Sequence, residues 1–194
     1  MPNGWPTEAS RGAAPRKWTA KKLVVPASSF DRVFSVFGVT LFRDPKQGMR
    51  EAFRVLRPGG LATITAWTSP VGAGPFILWR DALEATFPTR QARLLPPATA
   101  RLCDEGPLRQ DMEACGFEVV QVVEESAAWR VASVDELLAH VEDIYGPVMH
   151  HHDLSTEERA ALLGTMRGQL EDRFGSGEVS VPSTAHIIVA RKPE

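Results

Sequence analysis

The residues with the most obvious chemical potential form one short run, His150 to Asp153, in which three histidines precede an aspartate. Imidazole and carboxylate groups bind divalent metals, and a histidine can also act as a general base. Consecutive side chains on a regular backbone cannot all point at one ion, and no further ligand follows at a spacing typical of metal sites. We therefore predict an exposed loop between two helices here. We expect no metal site, and we assign no catalytic residue.

Two cysteines, Cys103 and Cys115, are too few for a disulfide framework. They predict free thiols and a reducing, cytoplasmic location. The chain has 194 residues, of which 43% are hydrophobic and 24% charged, values typical of a globular domain. The formal net charge of −2 argues against nucleic acid as a partner. No apolar run approaches the roughly 20 residues of a membrane helix, so we expect no membrane partner either.

The first 29 residues differ in composition from the rest of the chain. They contain five basic residues, one acidic residue and four prolines, with no helical or alternating pattern before Leu23. We interpret 1–29 as an unstructured or atypical segment and 30–194 as the folded domain.

Regular structure is predicted from Phe30 onward. Residues 32–40 are apolar and β-favouring, as in a strand that is buried on both faces. Asp44 is a helix N-cap followed by proline, and the helix that it starts ends at the Arg-Pro-Gly-Gly turn of 57–60. A second strand follows at 61–67. Strand, helix and strand in this order predict a right-handed βαβ unit with parallel strands.

The remaining sequence continues the alternation of helices and strands. Ser133 and Ser155 each begin a Ser-x-x-Glu capping box. The predicted helices are 75–87, 107–115, 133–145 and 155–174. A strand is predicted at 117–123, with 127–131 as a candidate extension, and the terminal strand region 179–190 is expected to be broken at Pro182, with 185–190 as its core.

Residues 30–67 resemble the middle of a class I S-adenosylmethionine-dependent methyltransferase. The resemblance rests on Phe30-Asp31 at the start of a strand, Asp44-Pro45 after the following loop, and Arg-Val-Leu-Arg-Pro-Gly-Gly at 54–60 before a strand that ends at Trp67. Cys-Gly-Phe at 115–117 and His-Ile-Ile-Val-Ala-Arg-Lys at 186–192 resemble later elements of the family. The resemblance covers residues 30–194.

The resemblance implies an α/β fold with an incomplete Rossmann-like sheet, whose strands are equivalent to the fourth to seventh of the family. The helices within 133–175 resemble a lid insertion over the substrate site. S-adenosylmethionine is the implied cofactor, and the implied reaction is methyl transfer to a small molecule.

The resemblance also implies where the site lies, because such sheets bind ligands at the carboxyl ends of their strands. The residues expected beside the cofactor are Ser35, Val36 and Leu41. Those expected to face the substrate are Phe37, Trp67 and Thr68. Core packing accounts equally well for Phe37, Leu41 and Trp67, and Ser35 can serve the strand alone.

The sequence departs from the family in its first part. A βαβ unit takes roughly 30 residues, so the 29 residues before Phe30 cannot hold three βα units. The chain contains no G-x-G-x-x-G, and no acidic residue follows such a loop to hold ribose hydroxyls. We therefore expect the isolated chain to be inactive or weakly active. The alternative is a non-catalytic interaction subunit or a truncated gene product, since family-like sequence begins abruptly at Ser29.

The missing first strand would lie against the fourth in the family. Without it, 32–40 becomes a sheet edge with unpaired backbone groups and apolar side chains, which favours pairing with another chain. We expect a homodimer or a partner chain at this edge, cover by residues 23–29, or aggregation.

Overall fold

A computed structural model describes residues 23–68, 74–90, 100–145 and 154–194. The strands are β1 (Phe30–Val36), β2 (Leu56–Trp67), β3 (Glu118–Val131) and β4 (Val179–Arg191). The α-helices in the described residues are α1 (Pro45–Val55), α2 (Pro75–Thr86), α3 (Glu105–Ala114), α4 (Val134–Ala139), α5 (Val141–Tyr145) and α6 (Thr156–Phe174). Short 3-10 turns span Val39–Leu41 and Arg101–Cys103.

The predicted βαβ unit is confirmed, with β1 and β2 parallel and α1 between them. The side chain of Asp44 accepts a hydrogen bond from the Gln47 amide at 3.1 Å, and Pro45 occupies the first helical turn. These local signals place the start of α1 as predicted.

The predicted limits of both strands need correction. β1 ends at Val36 rather than Thr40, because Phe37 adopts a positive φ of 54° and a 3-10 turn begins at Val39. β2 begins at Leu56 rather than residue 61, and the predicted turn at 57–60 is an irregularity inside it. The register between β1 and β2 shifts at this point and then runs evenly to the last pair of the ladder.

The four strands form one mixed sheet in the order β1-β2-β4-β3. β4 runs antiparallel to both of its neighbours and lies between them. The α/β class is therefore confirmed, and β1 is an edge strand of the sheet that the described residues form. No helix in the described residues is long and apolar enough to cross a membrane.

One face of the sheet is covered by α1 and α3. The alternate residues Ala62, Ile64 and Ala66 of β2 are at most 1% exposed and belong to the same cluster as residues of both helices. The helical members of this cluster are Met49, Ala52, Leu108 and Met112. Below, this surface is called the covered face.

An ion-pair network joins the elements of the covered face. Asp111 of α3 is 3% exposed, and its carboxylate lies 3.0 Å from the Lys46 ammonium at the start of α1. The same carboxylate also accepts a hydrogen bond from Arg101. A buried carboxylate therefore holds α3 against α1 and the second 3-10 turn.

A second apolar cluster lies where β3 and β4 extend beyond β2. It joins α2, α4 and α6 to the strand residues Val179 and Val181. The capping box at Ser155 is confirmed, since Ser155 and Glu158 cap α6 reciprocally. At Ser133 only half of the box forms: Ser133 accepts from the Glu136 amide, but the Glu136 carboxylate accepts from the Ala132 amide. The predicted helix at 133–145 is divided at His140 into α4 and α5.

The exposed face of β1 contradicts the prediction of a strand buried on both sides. Phe34 and Val36 are 70% and 71% exposed. The segment before β1 does not cover them, because the amides of Ser28 and Ser29 bond to carbonyls at the end of α1. Arg54 holds the same segment further upstream by donating to two of its carbonyls, at 3.0 and 3.1 Å.

Candidate functional site

The sequence-predicted site residues come together at the carboxyl ends of β1 and β2. Because these strands are parallel and paired up to Val36 and Thr65, they end side by side. The β4 residue Ala185 pairs with Trp67 on the other side of β2. The ends of β1 and β2 thus lie at the edge where open α/β sheets bind ligands, and the antiparallel β4 continues past it to Val179.

Phe37 has the most unusual backbone of the site. Its φ of 54° lies in the left-handed region, which costs a non-glycine residue about 1–3 kcal/mol. Two threonines hold the conformation. The Phe37 amide donates to Thr65 Oγ1 at 2.8 Å, and the Phe37 carbonyl accepts from Thr40 Oγ1 at 2.6 Å.

Phe37 and Trp67 stack on each other. Their ring centroids are 4.0 Å apart and the ring planes differ by 14°. Both side chains are half-buried, in contrast with the fully buried Ala66 beside Trp67. Two of the three residues predicted to face the substrate therefore form one aromatic unit across the ends of β1 and β2.

Ser35 and Thr68 both make local hydrogen bonds. Ser35 Oγ accepts from the Val39 amide at 2.9 Å and so supports the 3-10 turn after β1. Thr68 bonds through its amide and its hydroxyl to the Thr184 carbonyl, at 3.1 and 3.3 Å. These contacts attach the turn to β1 and the end of β2 to β4.

Val36 and Leu41 contribute apolar surface. They are 71% and 72% exposed, so neither is part of the core. Thr40 lies between them in sequence but is only 2% exposed, because its hydroxyl is bonded to Phe37. Core packing is therefore the wrong interpretation for Leu41.

The threonines at 40, 65 and 184 support the site but were not identified as site residues from the sequence. Thr65 is two residues before Trp67, on the same face of β2. That period-two spacing is the one signal that pointed to it. The Thr184 carbonyl accepts a hydrogen bond from Thr68, which lies 116 residues away in sequence. No local sequence pattern predicts such a contact.

The ends of β1 and β2 carry no ionisable side chain, whereas β4 contributes the buried His186, which pairs with Ala66. Residues 33–42 and 61–68 contain no Asp, Glu, Lys, Arg or His. S-adenosylmethionine presents a sulfonium, an amino acid group and ribose hydroxyls. The described strand ends offer main-chain groups and apolar contact to part of this molecule, but no carboxylate for its ribose. They therefore do not by themselves form a complete site for the cofactor.

The remaining candidates from the sequence are the histidine run and the two cysteines. The run His150 to Asp153 lies outside the described residues. Cys103 and Cys115 are free thiols. Burial raises the pKa of Cys103 to about 11 and also raises that of Cys115, so both stay protonated near neutral pH.

Comparison with known proteins agrees with the geometry. A sequence profile described as a methyltransferase domain matches residues 7–64, which include β1, α1 and most of β2. The match begins before Phe30, so the similarity starts earlier in the chain than the sequence analysis placed it. A match that includes residues upstream of Ser29 disagrees with an abrupt start of family-like sequence there, on which the interpretation as a truncated gene product depended.

Two curated relatives are also methyltransferases. The methyltransferase ktnA of Aspergillus niger is 25% identical over 174 residues, covering 82% of this chain and 54% of the relative. The 2-methyl-6-phytyl-1,4-hydroquinone methyltransferase 2 of rice is 35% identical over 78 residues, covering 37% of this chain and 22% of the relative. This chain therefore spans about half the length of the first relative and less of the second.

A solved structure shares the fold. It is a crystal structure of a Bacillus halodurans protein provisionally assigned as a methyltransferase, with a TM-score of 0.54 and 15% identity, covering 91% of this chain and 70% of the other. The resemblance to class I S-adenosylmethionine-dependent methyltransferases is thus confirmed. The cofactor that this resemblance implies is S-adenosylmethionine.

Proposed function

We propose that this chain forms one wall of a methyltransferase site that transfers a methyl group to a small molecule. The observation that carries the proposal is the convergence of the six predicted site residues at the ends of β1 and β2. Ser35 and Val36 present main-chain groups to the methionine part of S-adenosylmethionine, and Leu41 presents apolar surface. Phe37, Trp67 and Thr68 line the acceptor side.

The reaction requires little chemistry from these side chains. When it is bound, the cofactor supplies the reactive methyl group. The protein supplies orientation of the two reactants, which can lower a barrier by about 7–11 kcal/mol. The locked backbone around Phe37 suits this role, because it keeps the aromatic pair in one position.

We further propose that β1, β2, β3 and β4 correspond to the fourth, fifth, sixth and seventh strands of the family. The motif residues from Phe30 to Trp67 occupy β1, α1 and β2, which supports the first two assignments. The helices at 133–175 are proposed to cover the acceptor. In support of that role, their cluster includes Val181, four residues along β4 from the Ala185 that pairs with Trp67.

The proposal includes weak cofactor binding by the isolated chain, because the sequence lacks the glycine-rich loop. Titration calorimetry with S-adenosylmethionine is expected to show no binding tighter than millimolar, and micromolar affinity would contradict this expectation. The free thiols fit a reducing cytoplasm, which is the location that we propose.

Weak binding is mapped by nuclear magnetic resonance titration of the isotope-labelled chain. The largest shifts are expected at residues 35–41. Leu41→Glu should abolish them, whereas Val24→Glu serves as the matched control at a position that is 69% exposed and away from the strand ends. Shifts that are confined to other regions would show that the cofactor does not use this wall.

A second candidate function is that of an interaction subunit that pairs through β1. It is favoured by the exposed Phe34 and Val36 on an edge strand. Light scattering after size-exclusion chromatography is expected to show a homodimer, and Val36→Lys is expected to return it to monomer. A wild-type monomer with fast amide exchange at 33–36 would exclude this mode of self-association.

A further inference from the structure

We infer that the acceptor recognised at this wall is an uncharged, planar aromatic molecule that stacks on the Phe37–Trp67 pair. The inference rests on the proposed function and deepens it by naming the chemical class of the substrate. Three properties of the strand ends lead to it: the ring geometry, the locked backbone and the absence of charge.

The ring geometry provides a flat surface. Phe37 and Trp67 are nearly parallel, with centroids 4.0 Å apart, and both remain half-buried. Aromatic rings favour further offset stacking, because the electron-rich face of one ring attracts the positive edge of the next. A planar ligand that lies on this pair extends a stack that already exists, without reorganising the protein.

The locked backbone distinguishes the pair from ordinary core packing. A phenylalanine at φ 54° is strained, and glycine would occupy that conformation at no steric cost. Here Thr65 and Thr40 fix the strained residue by two hydrogen bonds. The ring that they hold is not fully buried, unlike Ile64 of the same sheet at 1% exposure. Such strain concentrates at sites where a side chain must be held in place.

The absence of charge sets the electrostatic character of the ligand. On the acceptor side, residues 61–68 contain no ionisable side chain that could balance a carboxylate or an ammonium on the acceptor. Moving an unpaired charge from water to such a surface is costly. The hydroxyls of Thr40 and Thr68 donate to main-chain carbonyls, and the Ser35 hydroxyl oxygen accepts from the Val39 amide. An uncharged ring with at most a hydroxyl group fits these surroundings.

The test compares three probes of one size on the full chain: 2-naphthol, its saturated analogue decahydro-2-naphthol, and the anion 2-naphthoate. Binding is followed by the shifts and line widths of each probe's own proton resonances, a readout that also serves for variants at Trp67. We expect 2-naphthol to bind at least tenfold more tightly than either analogue. Equal binding of the saturated alcohol or of the anion, or no binding of 2-naphthol, would overturn the inference.

Variants locate the binding. Trp67→Leu and Phe37→Leu are each expected to weaken 2-naphthol binding at least tenfold, whereas Trp129→Phe, which lies in the second apolar cluster, leaves it unchanged. Circular dichroism confirms that each variant is folded. If Trp67→Leu does not fold, the binding measured for Phe37→Leu tests the inference. Unchanged binding in a folded Trp67→Leu or Phe37→Leu protein would refute the stacking. Because no cofactor is present, this outcome is separate from that of the S-adenosylmethionine titration.

Discussion

The covered face of the sheet and the outer side of the edge strand β1 both present apolar residues but differ in exposure. On the covered face, Ile64 and Ala66 lie beneath α1 and α3 and are at most 1% exposed. On the other side of the edge strand, Phe34 and Val36 are about 70% exposed. The comparison teaches that an apolar strand sequence indicates the capacity for burial, while the neighbouring elements decide which side is buried.

The largest expected effect tests this difference directly. Ile64→Ala removes a side chain that is enclosed on the covered face, and such changes cost about 2–5 kcal/mol of unfolding free energy. Val36→Ala on the open side is expected to change it by less than about 0.5 kcal/mol. Urea denaturation measures both, and similar losses would mean that the open side is covered in solution.

The next effect concerns the ion pairs that hold α3 in place. Asp111→Asn leaves Lys46 and Arg101 without their carboxylate. We expect a loss of about 1–3 kcal/mol in urea unfolding, because the amide is buried with poorer partners. Glu105→Gln is the matched control, since its contact with Arg109 is exposed and worth less than about 1 kcal/mol. A loss no greater than that of the control would show that the network adds little.

A pH effect is also expected on the covered side. The pKa of Cys103 is raised by burial from 9.0 to about 11, so the unfolded chain loses this proton at lower pH than the folded chain. The stabilising effect is complete below pH 9 and declines as the pH rises to about 11. Unfolding measured at pH 8 and 10 should show a smaller decline for Cys103→Ala than for wild type. An identical decline would argue against burial of this thiol.

The smallest effect on stability is expected at the edge strand. Phe34→Lys replaces an exposed ring with a charge, and the unfolding free energy should change by less than about 0.5 kcal/mol. The same change should suppress self-association, because a lysine blocks strand pairing at an edge. Thermal unfolding and light scattering together check both outcomes. A large destabilisation would reveal that something packs on Phe34.

Local signals in the sequence predicted helix starts well. Asp44, Ser133 and Ser155 act as caps within three residues of their partners, so the necessary information lies in one short segment. The end of β1 was not predictable in this way. The positive φ of Phe37 is fixed partly by Thr65, which lies 28 residues away in sequence.

The same contrast applies to the candidate site. The resemblance to a family indicated that Phe37 and Trp67 lie at strand ends, and the structure brings them into contact. It did not indicate the bonds that hold them or the high exposure of Leu41. Those bonds and that exposure depend on the packing of β4 against β2 and on which elements cover β1. Neither follows from the composition of one segment.

The position of β4 has a consequence for synthesis. Its residues follow all the other strands along the chain, yet they pair with β2 on one side and β3 on the other. While the polypeptide leaves the ribosome, the backbone groups of β2 and β3 that will pair with β4 therefore remain unpaired until residues 179–191 emerge. Such long-range strand pairing is slow and makes nascent chains prone to aggregation. The nascent protein is thus most dependent on chaperones just before its central strand arrives.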